Sequence, residues 1–255
     1  MPSFRRIAPR IALATLAAPI CLALAACGDS GTEQGAAASG EPVTAVAPPE
    51  GQQWSDVATI TPEGGWLAGN PEAPIKLVEY GSLTCPACAN FSTSSAQPLR
   101  DTYINSGRVS YELRSVPLHG AVDLLLTRML ECAPKEAVHP LAEQIWANLD
   151  ALLAPIQANS AALNQALSLP ENQRFVAFAE QAQMLDFFAA RGMSTDQARQ
   201  CLSDGAAIQA LAERLQAQTE ADQVTGTPTF FLNGNRIDGI AWSEIETALQ
   251  QAGAR

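Results

Sequence analysis

Two short motifs about 140 residues apart, Cys85-Pro86-Ala87-Cys88 and Thr227-Pro228, constrain this chain more than any other feature. A Cys-x-x-Cys that ends a β run and opens a helical pattern needs a fold in which a strand delivers two sulfurs to a helix start. Ile75-Lys76-Leu77-Val78-Glu79-Tyr80 supplies the run: it is β-branched and aromatic, and it leaves the turn Asn70-Pro71-Glu72-Ala73-Pro74. Beyond Cys85, Pro86 suits a first helical turn because no amide is needed there, and Cys88 and Phe91 then recur on one face. Pro98 breaks or kinks this helix. A second helical piece, Leu99 to Ser106, closes at Gly107, and Val109-Ser110-Tyr111-Glu112-Leu113-Arg114-Ser115-Val116 alternates as a strand.

From about His119 to Asp222 no strand is expected, because apolar positions such as Leu141, Ile145, Leu149 and Leu152 recur at helical spacing. Gly192 ends one helix, and Ser194 with Gln197 has the spacing of a capping box for the next, which carries Cys201. Strand character returns at Thr229-Phe230-Phe231-Leu232, Asn233-Gly234 marks a two-residue hairpin, and Trp242, Ile245 and Leu249 share one face of a closing helix. Phe187, Phe188 and Trp146 could line a groove, but apolar residues at helical spacing are more often core.

The chemistry follows from the spacing. Exchange needs a thiolate and a second thiol within disulfide reach, and two intervening residues at a helix start bring Cys85 and Cys88 together. Cys85, at the helix N-terminus, has its anion favoured by the macrodipole and free amides, whereas Cys88 lies one turn in. The bland alternatives are a static bridge, which would constrain little chain entropy, and half of a zinc site, for which neither Cys132 nor Cys201 offers a second Cys-x-x-Cys.

Composition bounds the setting. With 255 residues, 47% of them apolar, the chain can bury one large core or two small ones, and a net charge of −11 argues against a nucleic-acid partner. Arg5, Arg6 and Arg10 precede the uncharged apolar run Ile11 to Ala26, so residues 1–26 are expected to be a signal peptide; the run is shorter than an upright membrane span requires. Its removal leaves 12 basic and 26 acidic residues, a charge of −14. Residues 27–53, rich in Ala, Gly, Ser and Pro, read as a flexible tether, with the folded part beginning near Trp54. Four cysteines beyond this leader and Cys27 fit disulfide chemistry in an oxidising compartment.

The strand with Glu79, Cys85-Pro86-Ala87-Cys88, a helical insert, Gly226-Thr227-Pro228-Thr229-Phe230-Phe231 and Asn233-Gly234, in that order, resemble the DsbA-like branch of the thioredoxin superfamily from roughly Val57 onward. The resemblance implies an α/β thioredoxin-like fold in two parts, residues 54–118 and 223–255, with an α-helical insertion at 119–222. It implies a thiol:disulfide oxidoreductase without a cofactor or metal, with Cys85 as nucleophile, Cys88 as resolving thiol, and Pro86 and Ala87 as tuning neighbours. In the family the bond before Pro228 is cis and turns the Thr227 backbone toward substrate, although an isolated Thr-Pro would ordinarily be trans. The family also places a buried acid at Glu79, able to move protons for Cys88; strand alternation alone could point it outward. Cys132 and Cys201 would close a structural disulfide or remain two buried thiols.

Leu24-Ala25-Ala26-Cys27 resembles a bacterial lipobox, which implies cleavage before Cys27 and its acylation, hence a lipoprotein on the periplasmic side of a membrane. The partners implied are protein thiols and disulfides and a membrane redox partner, with the chain itself a monomer. One departure stands out: the strongest oxidants of the family carry histidine where this chain has Ala87, and its only histidines are His119 and His139, so a milder oxidant is expected. Oxidase is the favoured direction; reductase, isomerase and a non-catalytic binding module are the alternatives.

Overall fold

A computed structural model describes residues 40–255; the expected signal peptide at 1–26 and the lipidation site Cys27 lie outside the described residues. The central sheet has six strands in the order β1-β2-β4-β3-β5-β6. They span Ala58–Ile60 (β1), Trp66–Gly69 (β2), Ile75–Gly81 (β3), Val109–Ser115 (β4), Thr229–Leu232 (β5) and Asn235–Ile237 (β6). β3 and β4 are parallel and all other neighbours antiparallel. The parallel pair requires a crossover, and helix α1 (Pro86–Pro98) with the turn after it supplies one.

Pro98 ends α1, and Leu99–Ile104 continues as a wider π-type turn whose Asn105 amide reaches Arg100 O at 3.0 Å. Proline cannot donate into the α-helical ladder, and the wider turn accommodates that missing bond. Helices α2 (Ala121–Glu131), α3 (Val138–Ala147), α4 (Leu149–Ala158), α5 (Ser160–Leu167), α6 (Glu171–Gln181), α7 (Met184–Ala189), α8 (Thr195–Ser203) and α9 (Gly205–Ala221) form the insertion, and α10 (Trp242–Gln251) closes the domain. Ser194 caps α8 through the Gln197 amide at 3.2 Å while Gln197 returns the bond to Ser194 N at 2.9 Å. Asn233 and Gly234, at φ 50° and 79°, make the β5–β6 turn. Phe188 is wholly buried and Trp146 nearly so, which places both in the core.

Two parts of the architecture depart from the sequence reading. The hairpin β1–β2 was not expected in the stretch containing Ile60, Gly64, Gly65 and Trp66, and it extends the sheet beyond β4. Residues 40–53, expected to belong to the flexible tether, instead form a strap along the domain. Gly40 N reaches Gln251 O at 2.7 Å, Val43 N reaches Gly253 O at 2.9 Å, Val46 N reaches Ser106 O at 3.0 Å, and the Trp54 indole donates to Val46 O at 2.7 Å. Backbone groups satisfied this way are not free to act as a linker. The strap occupies the end of the sheet from which β3 and β4 start, and Cys85 lies at the other end.

Candidate functional site

β3 ends at Gly81, and the buried residues Ser82, Leu83 and Thr84 carry the chain to Cys85. Cys85 is the N-cap of α1 with extended backbone (φ −87°, ψ 122°), and Pro86 occupies the first turn. That conformation brings the first amides of α1 toward the sulfur. Cys88, one turn on, is wholly buried, and both cysteines are free thiols.

The Thr227–Pro228 peptide is cis, and the Thr227 carbonyl accepts from Cys85 Sγ at 3.3 Å. The two motifs, 142 residues apart in sequence, therefore meet at one sulfur. The segment leading to Thr227 and Pro228 is fastened by two arginines: Arg236 donates to Gln223 O at 3.1 Å, and Arg114 pairs with Asp222 at 3.5 Å.

Three groups here ionise far from their ordinary range. The Cys85 thiol is lowered to about 5, first by a hydrogen bond from the Cys88 thiol and then, against the opposing cost of burial, by the Thr227 side chain and the amides of Cys88 and Ala87. Cys88 is pushed up because it holds the shared proton and is buried. Glu79 is raised to about 8, chiefly by burial, despite a hydrogen bond from the Tyr111 hydroxyl at 2.6 Å to its Oε2; its Oε1 has no partner. The pattern of β3 places Glu79 on the face of Ile75 and Leu77, inside rather than outside.

Cys132 and Cys201 are bonded to each other, with Cα atoms 6.2 Å apart, and tie the end of α2 to α8. Among the described residues no cluster of His, Cys, Asp or Glu could hold a metal ion, and no helix is long and apolar enough to cross a membrane.

Several residues that shape the site carry no signal of their own in the sequence. Trp146 of α3 donates its indole N–H to Ser82 O at 3.0 Å and so braces the approach to Cys85. Tyr111 of β4 reaches Glu79 from 32 positions away. Asp123 of α2 accepts from the Thr84 amide at 3.1 Å and from the hydroxyls of Ser82 and Thr84 at 3.0 and 2.9 Å. Only Thr84, by its adjacency to the motif, could have been singled out.

A helix-start dithiol facing a cis-proline loop across a mixed sheet, with a helical insertion between them, defines a thioredoxin-fold protein. The family model described as Thioredoxin matches residues 61–251, and the chain belongs to that family. A Rickettsia bellii protein provisionally assigned as a protein-disulfide oxidoreductase is 25% identical over 194 residues, which are 74% of this chain and 65% of that protein. This chain thus spans somewhat less than two thirds of that relative's length. The crystal structure of a protein-disulfide isomerase from Novosphingobium aromaticivorans is 27% identical, with a TM-score of 0.65 over 72% of this chain and 94% of that one. Wolbachia pipientis alpha-DsbA1, 19% identical with a TM-score of 0.60 over 76% and 94% of the two chains, shares the fold.

Proposed function

We propose that this protein is an exported thiol:disulfide oxidoreductase that oxidises protein thiols through Cys85 and Cys88. The observation that carries the reading is the Cys85 sulfur: it is set at the start of α1 against the Thr227 backbone, and its ionisation is lowered to about 5. A thiol that ionises so readily stabilises the reduced pair at neutral pH, and a pair with a stable reduced form is an oxidant.

The reaction begins with Cys85 and Cys88 joined. A substrate thiolate attacks Cys85 Sγ, the Cys85–Cys88 bond breaks, and its electron pair leaves on Cys88. Glu79, raised to about 8 and so largely protonated at pH 7, would give Cys88 a proton. The mixed disulfide lies beside Thr227 and Pro228, where the Thr227 backbone borders the bound segment. A second substrate thiol then attacks its partner sulfur, and Cys85 departs as the thiolate that its surroundings favour. A membrane redox partner would reset the pair.

Cys27 would carry the lipid. That lipid would hold a monomeric domain near its membrane and raise the effective concentration of a partner there.

The test is the reduction potential of the Cys85/Cys88 couple in glutathione buffers. A value of about −120 to −180 mV supports a disulfide donor, and one near about −270 mV refutes that direction in favour of a reductant.

A further inference from the structure

Thr84, the residue immediately before Cys85, stands between two groups at the entrance to the helical insertion. Its hydroxyl lies 2.9 Å from Asp123 Oδ2 and 2.7 Å from His119 Nδ1. Asp123 is wholly buried and also receives the His119 amide at 2.8 Å, the Thr84 amide at 3.1 Å and the Ser82 hydroxyl at 3.0 Å. A carboxylate surrounded by donors accepts from all of them, so the single proton of the Thr84 hydroxyl is directed at Asp123. The short contact on the other side of that hydroxyl then requires His119 Nδ1 to be the donor. In the neutral ring this leaves Nε2 bare, on a side chain that is 55% exposed. A buried acid that fixes an imidazole's tautomer so that the outer nitrogen is basic is the arrangement that makes histidine a general base.

We propose that His119 is the proton acceptor for the incoming substrate thiol, oriented through Thr84 by Asp123. The proposal rests on the reading of Cys85 as the attacked sulfur. The substrate S–H proton passes to His119 Nε2, and the substrate sulfur bonds to Cys85 Sγ. The Cys85–Cys88 bond breaks with its electron pair on Cys88, which takes the proton of Glu79; His119 later returns its own proton to solvent. The groups around His119 are Asp123 from α2 and, from the loop, Thr84, whose neighbour in sequence is Cys85. Asp123, with Oδ2 3.8 Å from Nδ1, is its ion-pair partner among the described residues.

The size of the effect is bounded by the substrate. A thiol of ordinary pKa, near 8.5, is only about 3% thiolate at pH 7, so a base can gain at most ~30-fold there and nothing once the thiol ionises by itself. The experiment is the second-order rate of oxidation of a dithiol peptide by the full chain from pH 6 to 9.5. His119→Ala is expected to be ~10-fold slow at pH 7 and within about twofold of the parent at pH 9.5. Thr84→Val should show the same pH-dependent deficit and Thr84→Ser should restore the rate. A deficit of constant size across pH, or no deficit at pH 7, overturns the role of His119. Full activity in Cys85→Ser would instead overturn the reading beneath it, and this proposal with it.

Discussion

Glu79→Gln should make this protein markedly more stable at neutral pH while impairing its exchange. Glu79 is wholly buried, one of its oxygens has no partner, and its carboxyl is raised to about 8 from an ordinary 4.5. A carboxyl whose folded-state pKa exceeds its unfolded value contributes stability that is present in full below 4.5 and is lost as pH rises through 8. The loss runs at about 1.4 kcal/mol per pH unit, so by pH 7 it amounts to about 3 kcal/mol. Glutamine has the same shape, can still accept from the Tyr111 hydroxyl, and carries no proton to lose. For a domain of this size the gain corresponds to a rise in Tm of about 6–12 °C. Urea unfolding of the oxidised protein at pH 5, 7 and 8.5 measures it: the two proteins should be close at pH 5 and diverge progressively above it. Parallel stability curves, or a variant no more stable at pH 7, would refute the argument that burial holds Glu79 protonated. The same variant should form the mixed disulfide at Cys85 more slowly, because the departing Cys88 thiolate no longer finds a proton at position 79.

Replacing both Cys132 and Cys201 with alanine opens a loop with a sequence separation of 69 residues, and chain entropy puts the loss at about 4 kcal/mol, readable as a lower urea midpoint. Tyr111→Phe removes the hydrogen bond that Glu79 accepts among the described residues, so its carboxyl should rise further and the fall in stability, starting from the same pH, should continue to a higher one; an unchanged profile would show that the 2.6 Å contact is not felt. Gly107→Ala meets two obstacles: φ is +71°, and a Cβ would lie 2.4 Å from Val46 O. It should cost about 2 kcal/mol and expose the 40–53 strap to proteolysis.

The elements that were legible in the sequence are those whose signals are local. The strand at 75–81, the helix opened by Pro86, the Ser194 and Gln197 capping box and the Asn233-Gly234 turn each follow from neighbours within four residues. The β1–β2 hairpin escaped because its strands have three and four residues, too few to show alternation. The strap escaped for a different reason. Its Gly, Ala and Pro content reads as unstructured, while the groups that fix it, at Ser106, Gln251 and Gly253, lie far along the chain. The direction of Glu79 was likewise open until the pairing of β3 was fixed, since one residue of slip turns every side chain of a strand over.

By itself the sequence determined that two thiols would stand three residues apart at the start of a helix, because that spacing is set by the backbone within a single turn. What the tertiary structure decided is how those thiols ionise. The Cys85 sulfur meets the Thr227 backbone 142 positions away, and Glu79 meets Tyr111 across the sheet. Each of these shifts depends on excluded water and on a partner at hydrogen-bond distance, and neither quantity exists until the chain has folded.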